Sequence, residues 1–405
     1  MASFFSIDDL PALQGEIAGK RVLVRGDLNV PVKDGRVTDA TRIEHLAPTI
    51  VALVERRCRV AVLAHFGRPK GRRNPAMSLK PLVGPLGQVL GGRAIAFSDD
   101  CIGPKAEEVV NSLPEGGIAL LENLRFHPGE EENDSRFAAA LARLGDVYVT
   151  DAFSAAHRAH ASTEALAHLL PAAAGRSMQA ELTALGRVLN NPLRPLVAIV
   201  GGAKVSTKLD LLGNLVRKVN VLVLGGAMAN TFLSARGLEV GVSLCEHEMA
   251  ERARGVMAKA DAAGCEVVLP GDVVIARKLE QGAETKVVPV SEVPSDQMIL
   301  DIGPESIGRL VKRLAGFRTL VWNGPLGAVE VPPFNAATDA VAKATAALTQ
   351  MGDLVSVAGG GETVAALSAA QVVADFSYVS TAGGAFLEWL EGKKLPGIEA
   401  LLTKT

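Results

Sequence analysis

Residues 197–208 read VAIVGGAKVSTK, an apolar run that delivers Gly201 and Gly202 and then Lys204, Ser206, Thr207 and Lys208. Glycines let backbone N–H groups approach an anion closely, and two ammonium groups add charge, so the chemistry suggested is phosphate binding. Neither G-x-x-x-x-G-K-[ST] nor G-x-G-x-x-G occurs in the chain, which argues against a P-loop NTPase and a standard dinucleotide fold.

A second set of chemically capable residues lies in the first half. Short apolar runs there are followed by RGDLNVP (Arg25, Asp27, Asn29), HFGRP (His65, Arg68), ENLRFH (Arg125) and DAFSAAHRAH (Asp151, His157, Arg158, His160). Arginine offers a planar fork of donors matched to carboxylate and phosphate oxygens, so several converging on one crevice imply a small, multiply anionic ligand. His157 and His160 have metal-pair spacing, but no further His or Cys completes such a site, so they are read as donors to an anion.

In the second half the corresponding positions carry glycines: GGAKVSTK (201–208), GGAMAN (225–230), NGPLGAVE (323–330) and GGGETVAAL (359–367). A strand, a glycine turn and a helix start in that order put backbone donors and the positive end of a helix against phosphate. No Ser/His/Asp or Cys/His arrangement suggests a nucleophile with its base. Arginines in one half and a glycine and lysine crevice in the other point to transfer of a phosphoryl group between two ligands. A two-lobed anion-binding protein without catalysis is the alternative, but it has no use for the second, nucleotide-type crevice.

The elements that must carry these residues follow from hydrophobic periodicity. Val-, Ile- and Leu-rich runs at 21–24, 59–64, 118–121, 146–150, 196–200, 220–224, 265–270, 319–322 and 354–358 alternate with helical patterns, the signature of parallel strands covered by helices on both faces. In DSRFAAALARLG, Asp134 or Ser135 is expected to cap the helix start, Phe137, Leu141 and Leu144 to share a face, and Gly145 to end it. Ligands in such sheets bind beyond the carboxyl ends of the strands, where these residues stand.

At 405 residues the chain exceeds what one core supports, so two domains are expected. The fold class predicted is α/β, with two doubly wound, Rossmann-like domains. Domain boundaries are set at 1–177, at 196–389, and at a connecting helix and hinge over 178–195, where Met178, Leu182, Leu185 and Leu189 form a stripe before Asn190, Asn191, Pro192 and Pro195. The composition is 48% hydrophobic and 21% charged with net charge −2 and only 4% aromatic residues, which favours neither a nucleic-acid partner nor disorder. No signal peptide or membrane-length apolar stretch is present, and Cys58, Cys101, Cys245 and Cys265 are scattered as buried, reduced thiols would be. A cytoplasmic location is expected.

Read in order, RGDLNVP, HFGRP, LLENLRFH, DAFSAAHRAHAS, GGAKVSTK, VWNGPLGAVE, GGGET and STAGGAFLEWLEGKKLPG resemble the phosphoglycerate kinase family from about residue 21 to 401. The resemblance implies reversible transfer of the acyl phosphate of 1,3-bisphosphoglycerate to Mg-ADP, giving 3-phosphoglycerate and ATP, by a monomer whose domains close over their ligands. It also implies that residues 390–405 pack back on the N-terminal domain. Carried over by motif, Asp27, Asn29, Arg42, His65, Arg68, Arg125 and Arg158 would hold the phosphoglycerate. Gly202, Lys204, Lys208, Asn323, Glu330, Gly359, Gly360, Gly361, Glu362 and Thr363 would hold the nucleotide, with Glu362 serving Mg2+ and Arg42, Lys204 and Lys208 acting on the phosphoryl group in transit. Arg42, in DATRIEHL, stands at a helix start and escapes a survey of strand ends.

The chain departs from the family pattern at four positions. Gly26 replaces a valine and is expected to loosen the loop carrying Asp27 and Asn29. Ala227 and Ala382 replace glycines, and Glu362 replaces an aspartate, one methylene longer at a position that serves a metal with strict octahedral demands.

Overall fold

The computed structural model describes residues 4–33, 35–189 and 191–402. It divides into two compact units, one running to Leu182 and taking in the chain from Lys394 onward, the other spanning Thr183–Lys393. Each is built on a six-stranded parallel sheet flanked by helices, the α/β architecture expected.

In the first unit the spatial order of strands is Ile95–Ser98, Ile118–Leu121, Arg59–Leu63, Arg21–Arg25, Val147–Thr150 and Ala172–Ala174. In the second it is Glu266–Val268, Val221–Leu224, Leu196–Val200, Thr319–Asn323, Val355–Gly359 and Tyr378–Ser380. Central strands such as Val22–Val24, Val60–Leu63 and Leu196–Val200 are buried throughout, which is why they read as unbroken apolar runs rather than alternating ones.

The nine expected runs all form strands, but each sheet is larger than expected. Ile95–Ser98 and Ala172–Ala174 are edge strands with too little Val or Ile to stand out, and Tyr378–Ser380 is only three residues long. A further antiparallel sheet in the second unit orders Lys286–Pro289, Asp272–Ala276 and Met298–Ile302. It encloses its own small core of Val273, Ile275, Val288 and Val293.

Asp134 caps the helix Ser135–Ala142, its Oδ1 accepting from the N–H of Arg136 and Phe137 at 2.8 Å each. Gly145 has a different role from the expected one: a Cβ there would lie 2.4 Å from Leu23 Cγ, so close packing on the sheet demands it. Gly26 likewise sits where a Cβ would meet Leu46 Cδ2 at 2.5 Å. Leu46 thus fills the space that a valine side chain would take beneath the loop. The connecting helix spans Arg176–Leu189 with Met178, Leu182, Leu185 and Leu189 all buried, and Asn190 lies outside the described residues.

Candidate functional site

In the first unit the loop after strand Arg21–Arg25 holds Asp27 and Asn29, and the helix Thr41–Glu55 delivers Arg42 from its first turn. Arg42 Nη1 donates to Asp27 Oδ2 at 2.9 Å, to Asp27 Oδ1 at 3.2 Å and to the Asn29 carbonyl at 3.1 Å. Ser154 Oγ and the Asn29 N–H also donate to the Asp27 carboxylate. Asn29 Oδ1 accepts from the Gly67 N–H at 3.0 Å, and Arg125 Nη1 donates to the Gly67 carbonyl at 2.8 Å. Loops from four strand ends are thereby tied together.

Asn123 and Glu122 brace the same region. Asn123 Nδ2 donates to the carbonyls of Phe66 and Met77, its Oδ1 accepts from the N–H of Phe66 and Arg125, and Glu122 accepts from Leu79 N–H, Asn123 N–H and Ser78 Oγ. Arg158 is half-buried beside His157, with Nε 3.2 Å from His157 Nε2, and Arg68 is exposed.

Two residues at these strand ends face elsewhere. Arg25 is 1% exposed and turns inward, donating from Nη2 to His65 Nδ1 at 2.9 Å and from Nε to Ser162 Oγ at 2.9 Å. Ser162 in turn donates to the buried carboxylate of Glu130 at 2.6 Å. Since guanidinium only donates, His65 Nδ1 must accept and its ring proton resides on Nε2. Asp151 accepts from Thr49 Oγ1 at 2.6 Å and from Met178 N–H at 2.9 Å, so it anchors the start of the connecting helix.

The electrostatics bear directly on the histidines. Burial, reinforced by Arg25, Arg125, Arg158 and His160, holds His65 well below its usual pKa. Burial with Arg125, Arg25, Arg158 and His157 lowers His160 to about 4. Both imidazoles are neutral at pH 7, so the positive charge comes from the arginines and the rings supply neutral donors.

The second unit gathers the glycine-rich strand ends. A Cβ on Gly201 would stand 1.8 Å from the Pro325 carbonyl oxygen, and Gly202 has φ +120°, so only glycine permits this close approach. Lys208 Nζ donates to Gly201 O at 2.8 Å, Asn323 Oδ1 at 2.6 Å and Asn323 O at 3.3 Å. Asn323 Nδ2 donates to Gly359 O at 2.9 Å, and Thr363 Oγ1 accepts from Gly324 N–H at 2.7 Å. Burial lowers Lys208 to about 8 despite the opposing charge of Glu362.

Helices Gly226–Ala235 and Gly361–Ala369 begin directly after their strands, aiming N-terminal N–H groups at this end of the sheet. Gly202, Glu330 and Glu362 line a cavity of about 490 Å³. Lys204 is exposed on the adjoining loop, whereas Gly359 and Thr363 are buried as braces. Much of the rest of the cavity wall is apolar, with Val242, Leu244, Leu279, Met298 and Leu300, and Asn230 and Asp301 add polar groups. Sequence reasoning passed over these residues because they come from the segments outside the parallel strands. Their signal is exposure of Val242, Leu244 and Leu279, which a sequence does not display.

Asp100, Cys101 and His127 bring potential metal-ligand atoms within 4.8 Å of one another. Asp100 Oδ1 is already engaged by the Cys101 N–H and by His127 Nε2, each at 2.7 Å. Burial and the nearby carboxylates keep the Cys101 thiol protonated, so the group reads as a satisfied hydrogen-bonded set.

Two parallel-sheet units, one gathering guanidinium groups and the other a desolvated lysine among glycine turns, define the class as an α/β phosphotransferase. The model of the phosphoglycerate kinase family matches residues 10–393. Phosphoglycerate kinases of Rhizobium meliloti and Chelativorans are each 60% identical, over 399 and 401 residues, covering 98% and 99% of this chain and 99% and 100% of theirs. The solved structure of phosphoglycerate kinase from Coxiella burnetii superposes with a TM-score of 0.91 at 42% identity, covering 98% of this chain and 99% of that one. The enzyme from Pyrococcus horikoshii gives 0.77 at 27% identity, with 98% of each chain covered. The chain belongs to the phosphoglycerate kinase family, whose members are glycolytic phosphotransferases.

Proposed function

We propose that this enzyme transfers the acyl phosphate of 1,3-bisphosphoglycerate to ADP, reversibly, with the phosphoglycerate held by Asp27, Asn29, Arg42, His65, Arg68, Arg125 and Arg158. The nucleotide occupies the cavity beside Gly202, with its phosphates against Lys204, Lys208, Asn323 and the Gly359–Thr363 turn. The observation that carries this reading is the state of Lys208. Its ammonium is half-buried on three neutral oxygens with no carboxylate at ion-pair distance among the described residues, a desolvated cation suited to an incoming phosphate.

In the ATP-forming direction a β-phosphate oxygen of ADP attacks the acyl phosphorus, and the bond to the carboxyl oxygen breaks, leaving 3-phosphoglycerate as its carboxylate. In reverse the attacking group is that carboxylate, ionised at neutral pH, so neither direction needs a general base. The residues must align the two ligands, with reacting oxygens within about 3 to 3.5 Å, and neutralise charge on the phosphoryl oxygens. Arg42 and Lys208 fit that task best, with Lys204 as the third cation.

Mg2+ would supply further charge neutralisation on the nucleotide phosphates. Glu362, a hard oxygen donor on the cavity wall with the carboxylate of Glu330, fits such an ion. A cytoplasmic, monomeric enzyme is the reading that the family resemblance supports, and the net charge of −2 offers no basic surface of the kind a nucleic-acid partner would need.

The test is a coupled assay for ATP formation from ADP and the acyl phosphate. ATP formed only when both substrates are present is the expected result. Tight binding of phosphoglycerate without turnover would instead favour an anion-binding protein.

A further inference from the structure

The phosphate-binding loop is gripped from outside its own motif. Glu246 lies on the segment entering the short helix His247–Met249, 40 residues beyond Ser206. Its Oε2 accepts from the Ser206 N–H at 3.0 Å, and its Oε1 accepts from Ser206 Oγ at 2.5 Å. The Val205 N–H also donates to this carboxylate. The Glu246 backbone is itself fixed, its N–H donating to Thr231 Oγ1 at 3.1 Å on the helix Gly226–Ala235. Burial works to raise the Glu246 pKa, but the hydrogen bonds from Ser206 and Val205 and the charge of Lys204 outweigh it, and the carboxylate is held ionised.

The consequence follows from where the gripped residues sit. Val205 and Ser206 lie between Lys204 and Lys208, the two lysines of the loop. A loop of this kind moves unless its backbone donors are engaged, and a lysine that must meet a phosphate within a few tenths of an ångström needs a fixed base.

We infer that Glu246 is a positioning residue for phosphoryl transfer, holding the 204–208 loop so that Lys204 and Lys208 meet the nucleotide phosphates. It touches neither substrate, and it tethers the loop to the same helix whose N-terminus faces the cavity. The inference rests on the nucleotide reading of this cavity given above.

The experiment compares the full-length wild type with Glu246→Ala, Glu246→Gln and Ser206→Ala, measuring ADP affinity by calorimetry and both Michaelis constants. Glu246→Ala removes hydrogen bonds to a charged acceptor, weakened here by partial solvation, and should lower ADP affinity about ten-fold. The Michaelis constant for phosphoglycerate and the melting temperature should stay near wild type. Gln retains one acceptor and offers its amide to Ser206 Oγ, so it should recover much of the loss. Ser206→Ala keeps the backbone bond and should show a smaller defect. Adding it to Glu246→Ala should cost nothing more, since the contact is already gone.

Unchanged ADP affinity in Glu246→Ala overturns the inference. So does an equal rise in both Michaelis constants, which marks a general structural defect. If Glu246→Ala does not fold, Ser206→Ala decides, and normal ADP affinity there overturns it. Failure of the wild type to bind ADP overturns the nucleotide reading itself along with the inference.

Discussion

The Arg42 guanidinium lies 2.9 Å from Asp27 Oδ2, with side chains 35% and 13% exposed, and only its Nη1 is used in the contacts to Asp27 and Asn29. The fork is held at one corner, which orients its remaining donors without consuming them. An ion pair this exposed contributes about 0 to 1 kcal/mol to stability, so Arg42→Ala should melt within a few degrees of wild type. A cation acting on a transferring phosphoryl group is worth on the order of 10³ to 10⁵ in rate, and turnover should fall at least about 10³-fold. Steady-state kinetics and a thermal melt check both halves, and near-normal turnover would remove Arg42 from the mechanism.

Arg25 should behave in the opposite way. It links His65 to Ser162 and, through Ser162, to buried Glu130, whose pKa burial raises while Arg25 lowers it. Arg25→Met removes the compensating charge from a buried carboxylate and should cost about 3 to 5 kcal/mol in urea unfolding. It also frees His65 to change tautomer, so the Michaelis constant for phosphoglycerate should rise. The sign with pH is fixed by linkage: in the variant the folded state binds a proton at Glu130 more readily than the unfolded state does. Its deficit relative to wild type should therefore be smaller at pH 5 than at pH 8. A deficit that does not change with pH would mean that packing alone was lost.

Arg25 also marks where sequence reading stops. The strands and their order along the chain were legible because fully buried parallel strands leave unbroken apolar runs, and the strand-end arginines were legible because type and position sufficed. What a side chain does after leaving the strand end was not. Arg25 and Arg125 look alike in sequence, yet one turns into the core and the other toward the Gly67 carbonyl. Asp151 read as a polar strand end and proves to anchor a helix. Glu246 reaches the phosphate loop across 40 residues, the apolar cavity wall is drawn from positions as far apart as Val242 and Leu300, and no local spacing encodes such contacts.

With the nucleotide phosphates against Lys208 as proposed, binding should be sensitive to alkaline pH. Burial lowers its pKa to about 8, so in the free enzyme the ammonium is charged below that pH and neutral above it. ADP affinity should be level up to about pH 8 and then fall by up to about ten-fold per pH unit. Lys208→Arg keeps its charge across this range and should flatten the fall even if its overall affinity is lower. Calorimetric titrations from about pH 6.5 to 9.5 read this directly, and a wild-type affinity constant across that span would show that Lys208 does not contact the phosphates.

Glu362, the residue proposed to serve Mg2+, should set metal use. It is exposed in the first turn of the helix Gly361–Ala369, on the cavity wall with Glu330, and Lys208 senses its charge. Relative to the aspartate of the family pattern, its extra methylene carries the carboxylate farther from the backbone that fixes it. Mg2+ requires near-ideal octahedral geometry at about 2.0 to 2.1 Å and gives up water reluctantly. The longer arm should therefore hold the ion more loosely or through a water. In Glu362→Asp the magnesium concentration that half-saturates ADP binding should drop by at least about two-fold, while ADP affinity without magnesium stays unchanged. Superimposable magnesium titrations of wild type and Glu362→Asp, read as ADP binding and as turnover, would show that the longer side chain has no effect on the metal.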